Sequence, residues 1–272
     1  MKKAIIIFLL FLCGQFVAGI IAGSMGWLAN ARYMGYTLLA IDILLIALLW
    51  RFRLAGEKES YPKGTGWLKG KTFLAGAGIL ALAFGVNILL EPLELSDMGM
   101  EATFNAMRSD VLCILMLCVV GPWLEELIFR DGILRHLTQY GIKPVWAIVI
   151  SALLFGLVHG DPAQMVPASL LGFVLGLLYV HTGDLSLCLP AHILNNSVAI
   201  GLMYIPGSDE WTKNLSMPAH IALGLPLLLV GVFLIYIILT YKKCRIGEAS
   251  CIKTEDPAAA KTIDTTDEDR TC

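Results

Sequence analysis

Residues 121 to 140 read Gly121-Pro-Trp-Leu-Glu125-Glu126-Leu-Ile-Phe-Arg130-Asp-Gly-Ile-Leu-Arg-His-Leu-Thr-Gln-Tyr140 and place two adjacent carboxylates and an arginine inside otherwise lipid-facing sequence. A charge at bilayer depth costs at least about 2.5 kcal/mol even on lenient insertion scales, so it requires a partner or a task. On a helix Glu126 and Arg130 are four residues apart and share a face, the geometry of an ion pair. Glu125 is then turned about a quarter-turn away, with no partner on its own helix. That unpaired carboxylate sets the question for the rest of the chain.

The flanking sequence identifies the solvent. Of 272 residues 57 % are apolar and only 15 % charged, with a mean hydropathy of +0.73; a soluble chain carries about a quarter charged residues. Apolar stretches fall at 4–23, 36–52, 72–90, 110–140, 145–160, 163–181, 185–204 and 218–241. The expected fold is therefore all-α, a polytopic membrane bundle of about eight transmembrane helices. Met-Lys-Lys before the first apolar run resembles a secretory signal, but the run is nearly long enough to span and further spans follow, so it reads as the first helix. Basic residues in the loop from Arg51 to Lys71, and Lys2, Lys3, Arg135, Lys143, Lys242, Lys243 and Arg245, fall on one side of eight alternating helices. Both termini are predicted inside. Three membrane regions follow, at 1–109, 110–205 and 206–247. The polar segment 248–272 is expected to be a disordered cytoplasmic tail.

A net charge of −2 without a basic cluster gives no footprint for nucleic acid. The seven cysteines lack CxxC spacing and read as small core residues. No internal repeat is visible, which counts against transporter folds built from duplicated halves. Oligomeric state is not readable from the sequence.

The intramembrane polar residues are Asp42, Asn87, Glu125, Glu126, Arg130, His159, His181, His192, Asn195 and Asn196. Glu125 lies 17 residues before Ile142, and His159 lies 17 after it. Two straight antiparallel helices turning near Gly141 to Pro144 would bring both to one depth, roughly 25 Å from the turn. A helix beginning at Gly183 would leave His192 too shallow to join them. Pro190 suits a first helical turn, so 183–189 is expected to run extended into the protein, with the helix starting near Pro190. His192 and Asn196 then share a face. Glu125, His159, His192 and Asn196 are predicted to converge on one pocket. Such a set suits hydrolysis: one group takes a proton from water, another returns it to the leaving amine, and an amide steadies the oxyanion. Glu125, His159 and His192 also have the donor types that ligate zinc, and spacing does not separate the two chemistries. Asp42 reads as a hydrogen-bonded structural group, Asp161 as a helix N-cap before Pro162, and Phe129 and Phe155 as packing around the pocket.

Glu125-Glu126-Leu-Ile-Phe-Arg130 fits EExxxR, Phe155-Gly-Leu-Val-His159 fits FxxxH, and His192-Ile-Leu-Asn-Asn196 fits HxxxN. Their order and spacing resemble the CPBP family, the CAAX-processing and bacteriocin-processing intramembrane proteases also called Abi. The resemblance covers residues 110 to 205. It implies an intramembrane endopeptidase acting on a membrane protein or peptide in the lipid bilayer. In that pattern Glu125 and His159 activate water, His192 and Asn196 stabilise the oxyanion, and Glu126 and Arg130 hold the site. The short Lys-Lys start and compact loops point to a bacterial plasma membrane, where a leader peptide, pheromone precursor or bacteriocin would replace a prenylated CAAX protein. Two other classes compete: a non-catalytic immunity or scaffold protein of the same fold, and a proton-coupled transporter.

Overall fold

The computed structural model describes residues 1–26, 30–56, 70–207 and 210–240, and among them it contains helices, turns and no strand. The helices are α1 (Lys2–Ser24), α2 (Arg32–Arg51), α3 (Gly70–Leu90), a short α4 (Met100–Met107), a long rod α5 (Val111–Gln139), α6 (Pro144–Leu157), α7 (Pro162–Thr182), α8 (Cys188–Leu202) and α9 (Met217–Thr240). Six of them, α1, α2, α3, α5, α7 and α9, are long and apolar enough to cross a membrane. The other two expected spans, α6 and α8, are helical but shorter, at 14 and 15 residues. The all-α membrane reading holds. Lys58, Lys63, Lys69, Lys242, Lys243 and Arg245, on which part of the orientation rests, and the 248–272 tail lie outside the described residues.

Local chemistry explains the boundaries. Asp110 caps α5, its carboxylate accepting the Leu112 and Cys113 N–H groups at 2.9 and 3.2 Å. The Tyr36 hydroxyl donates to the same carboxylate at 2.6 Å, and this bond, ahead of the cap, holds Asp110 below the usual carboxylate range. Pro144 opens α6 and Pro162 opens α7, where the missing N–H costs nothing. Asp161 is the α7 N-cap, accepting from Gln164 N–H at 2.8 Å as expected.

The rod α5 is the axis of the bundle. It packs against α1, α2, α6 and α8, while α3 pairs with α9 and also touches α7 and α8. It is not a uniform α-helix: Met116–Val120 and Leu127–Leu134 are π-helical, with Glu125 and Glu126 on the α-helical turn between them. Interruptions of this kind are costly relative to α-helix and occur often at functional sites. Every residue from Leu127 to Leu134 is buried, including Arg130 and Asp131. Large apolar side chains on the outer faces, such as Leu229 on α9 and Val145 on α6, are exposed as a lipid collar requires.

Two features set the height of the site. At about 1.5 Å per residue α6 is roughly 21 Å long, short of a bilayer core of about 30 Å, so its far end stops within membrane depth. The turn there, which carries His159, is tied to the 94–99 loop by Ala163 N–H donating to Ser96 carbonyl at 3.2 Å. The α6–α7 contact is close because Gly156 and Gly172 carry no side chain: a Cβ at Gly156 would stand 2.6 Å from the Met165 carbonyl oxygen. Secondly, 183–187 is a compact turn and not the expected extended run. Gly183 adopts φ 79°, and Asp184 accepts Ser186 N–H at 2.8 Å. The turn is itself sunk into the protein, with Leu185, Leu187 and Cys188 buried, so no extended descent is needed. The helix starts at Cys188, two residues before Pro190, which stays inside the tolerant first turn.

Candidate active site

Glu126 and Arg130 form the expected ion pair, Nε to Oε2 at 3.2 Å, both side chains 0 % exposed. The alignment is poor for a hydrogen bond. The guanidinium also lies over the Phe155 ring, its central carbon 4.6 Å from the centroid. That face supplies cation–π attraction where the terminal nitrogens meet no protein acceptor among the described residues. Phe155 is the hub of the site. Its ring makes edge contacts with Phe129 at 5.2 Å, His159 at 5.0 Å and His192 at 5.7 Å.

His192 lies between the two glutamates and is 2 % exposed. Its Nδ1 is 2.9 Å from Glu126 Oε1, and its Nε2 is 3.5 Å from Glu125 Oε2. Arg130, Glu126, His192 and Glu125 thus form a chain of groups from buried interior to a carboxylate that is 25 % exposed.

His159 accepts a different environment. Its Nδ1 donates to its own helix, to Phe155 carbonyl at 2.8 Å, leaving Nε2 for other partners. His159, His192, Asn195 and Asn196 all border one cavity of about 770 Å³. The remaining wall is mostly apolar and comes from α3, α7, α8 and α9, with Phe84, Phe173 and Val232 among its members. Both asparagines face this space. Asn195 Nδ2 donates to Asn196 Oδ1 at 3.3 Å, and Asn196 Nδ2 donates to Leu117 carbonyl at 3.2 Å. Each amide retains a second N–H.

The predicted convergence is therefore partial. His159, His192 and Asn196 meet at the cavity, whereas Glu125 is not part of its wall and pairs with His192 instead of His159. The physical reason is the π-helical stretch after Glu126. More residues per turn change both the height and the direction at which Glu125 leaves the helix, so counting equal rises from the 141–144 turn does not carry across it. Among the described residues no three His, Cys, Asp or Glu side chains are placed to hold a metal ion, and Glu125, His159 and His192 do not form such a group.

Sequence reasoning missed Asp131. Its buried carboxylate accepts the Tyr179 hydroxyl at 2.8 Å and Gly56 N–H at 2.6 Å, and pairs with Arg135 at 3.4 Å. The i, i+4 spacing to Arg135 was the available signal. Asp42 is the buried structural acid expected, accepting from Gln15 Nε2 at 3.2 Å. His136 and His220 are buried and bond the carbonyls of Gly132 and Ser216 on their own chain segments.

With this geometry in place, residues 107–198 match the family model of the type II CAAX prenyl endopeptidase, Rce1-like. This segment is similar to that family. The match contains all three motifs, so the family resemblance they carry is borne out. The chain is also 29 % identical over 109 residues to a Bacillus subtilis (strain 168) protein named "Putative membrane peptidase YdiL". That alignment takes in 39 % of this chain and 43 % of the relative, so the chain spans less than half the length of the curated relative it matches. No solved structure matches. The Rce1-like segment begins at the end of α4 and ends within α8, and so contains α5, the α6–α7 hairpin and both site asparagines. Its apolar helices and the similarity of this segment to a membrane-peptidase family point to an integral membrane protein.

Proposed function

We propose that the chain is an intramembrane endopeptidase that hydrolyses a peptide bond of a membrane-associated protein or peptide. The observation that carries this reading is His192, which borders the apolar cavity on one side and reaches Glu125 within 3.5 Å on the other. A substrate's apolar portion occupies the cavity, and its scissile carbonyl lies at the polar end beside His159, His192 and Asn196. The Glu125–His192 pair takes a proton from water as its oxygen bonds to the carbonyl carbon. Spare N–H groups of Asn195 and Asn196 lie where a developing oxyanion needs donors. The carbon–nitrogen bond then breaks, and the stored proton passes to the amine. Glu126 and Arg130 hold His192 without touching substrate. Hydrolysis through carboxylate-activated water suits this donor set better than a zinc centre does. The basic loops support both termini inside, and the compact loops read from the sequence support a bacterial plasma membrane.

The test compares new peptide termini by mass spectrometry in cells carrying wild type or Glu125→Ala at matched membrane abundance. Termini present only with wild type support the reading and name substrates. Identical profiles, with Glu125→Ala restoring any phenotype of a null strain, would transfer the chain to the immunity or scaffold class.

A further inference from the structure

Which nitrogen of His192 carries its proton decides what that imidazole can do, and the surrounding charges fix the answer. Glu126 faces Arg130 at 3.2 Å and both are fully buried, so Glu126 is held as a carboxylate, which only accepts hydrogen bonds. His192 Nδ1 stands 2.9 Å from Glu126 Oε1, a hydrogen-bond distance that requires the proton on Nδ1. In the neutral ring Nε2 is then bare. That bare nitrogen is the one directed at Glu125, on the residue that borders the cavity.

We propose that Glu126 is a positioning residue that fixes the His192 tautomer, so that His192 meets the reaction as a proton acceptor at Nε2. This rests on the peptidase reading and changes the role the family pattern implies for His192. A neutral His192 in this tautomer has no N–H to offer an oxyanion. It becomes a donor at Nε2 only after taking the proton released when water's oxygen bonds to the carbonyl carbon, and it returns that proton to the amine nitrogen as the carbon–nitrogen bond breaks. As the imidazolium forms, its Nδ1–H stays on the Glu126 carboxylate, which supplies the opposite charge beside the ring. The arrangement has the logic of a carboxylate orienting a catalytic histidine.

Glu126→Gln tests it. Arg130 claims the amide's single oxygen, so the NH2 group turns to His192 and forces Nδ1 to be the bare nitrogen. Purified full-length protein with nitrogen-15 histidine is compared by NMR, and the His192 signals are those lost in His192→Gln. The expected wild-type form is protonated at Nδ1, and the Glu126→Gln form at Nε2. On a peptide found in the cellular experiment, kcat should fall by about 100-fold or more, with KM within about twofold. A purely structural Glu126 would reduce the folded fraction and leave the tautomer of the remainder unchanged. A wild-type His192 protonated at Nε2 overturns the proposal. So does a Glu126→Gln protein that loses turnover without the tautomer change, or shows the change at full turnover. The wild-type spectrum needs neither a substrate nor a folded variant, so a failed peptidase reading and a failed tautomer assignment are separate results.

Discussion

Asp131 on α5 accepts the Tyr179 hydroxyl of α7 at 2.8 Å, joining the motif rod to the helix that follows the His159 turn. The same carboxylate accepts Gly56 N–H from the segment after α2 and pairs with Arg135. One buried acid thus ties together three parts of the chain. Tyr179→Phe removes one donor while leaving the others, and should cost about 1 kcal/mol. Asp131→Ala leaves several buried donors without their acceptor and should cost about 3–5 kcal/mol. Thermal melts in detergent read both. Equal, negligible losses would show that the carboxylate does not join these elements.

The His159 turn depends on close packing of α6 on α7. A Cβ at Gly156 would meet Ser169 Oγ at 1.9 Å and a backbone carbonyl at 2.6 Å, and the backbone cannot rotate away as a side chain can. Gly156→Ala should therefore destabilise by about 1–3 kcal/mol and lower peptide cleavage, because His159 lies three residues further along the chain. At Gly19, where nothing lies within 4 Å of the added atom, the same substitution should leave both measurements unchanged.

The donor set also makes a statement about metal. His192 has both nitrogens directed at glutamates, and His159 has one bonded to Phe155 carbonyl. Dialysis against a strong chelator, followed by metal analysis, should leave cleavage within about twofold of the starting rate, since removal of a required ion would abolish it. Activity that disappears and returns with added zinc would defeat the water-activation scheme given above.

Acid should weaken the start of α5. Asp110 has its carboxyl held low, chiefly by the Tyr36 hydroxyl, so its stabilising contribution is present above the ordinary carboxylate range and is lost as pH falls through the folded value. Asp110→Asn keeps a capping side chain but lacks the charge. The melting temperatures of wild type and variant should differ at pH 7 and converge as the pH falls below about 4. A gap that stays constant to pH 2 would mean that the charge contributes nothing.

The membrane class, the helices, the Glu126–Arg130 pair and the Asp161 cap were legible in the sequence. Each rests on contacts within a few residues or on local hydropathy, and a one-dimensional pattern reports those directly. Two of the three motifs named side chains that border the cavity, Phe155, His159, His192 and Asn196, but not which groups touch. Equal residue counts on either side of the 141–144 turn suggested Glu125 beside His159, yet that count assumes a uniform rise, which the π-helical stretch Leu127–Leu134 breaks. The depth of His192 likewise follows from a sunken turn at 183–187, held by buried leucines from distant contacts. The sequence by itself determined the solvent, the helices and the candidate set of site residues. Tertiary packing alone decided that His192 lies between two glutamates, because rotation and height of one helix against another are fixed by side chains far apart in the chain.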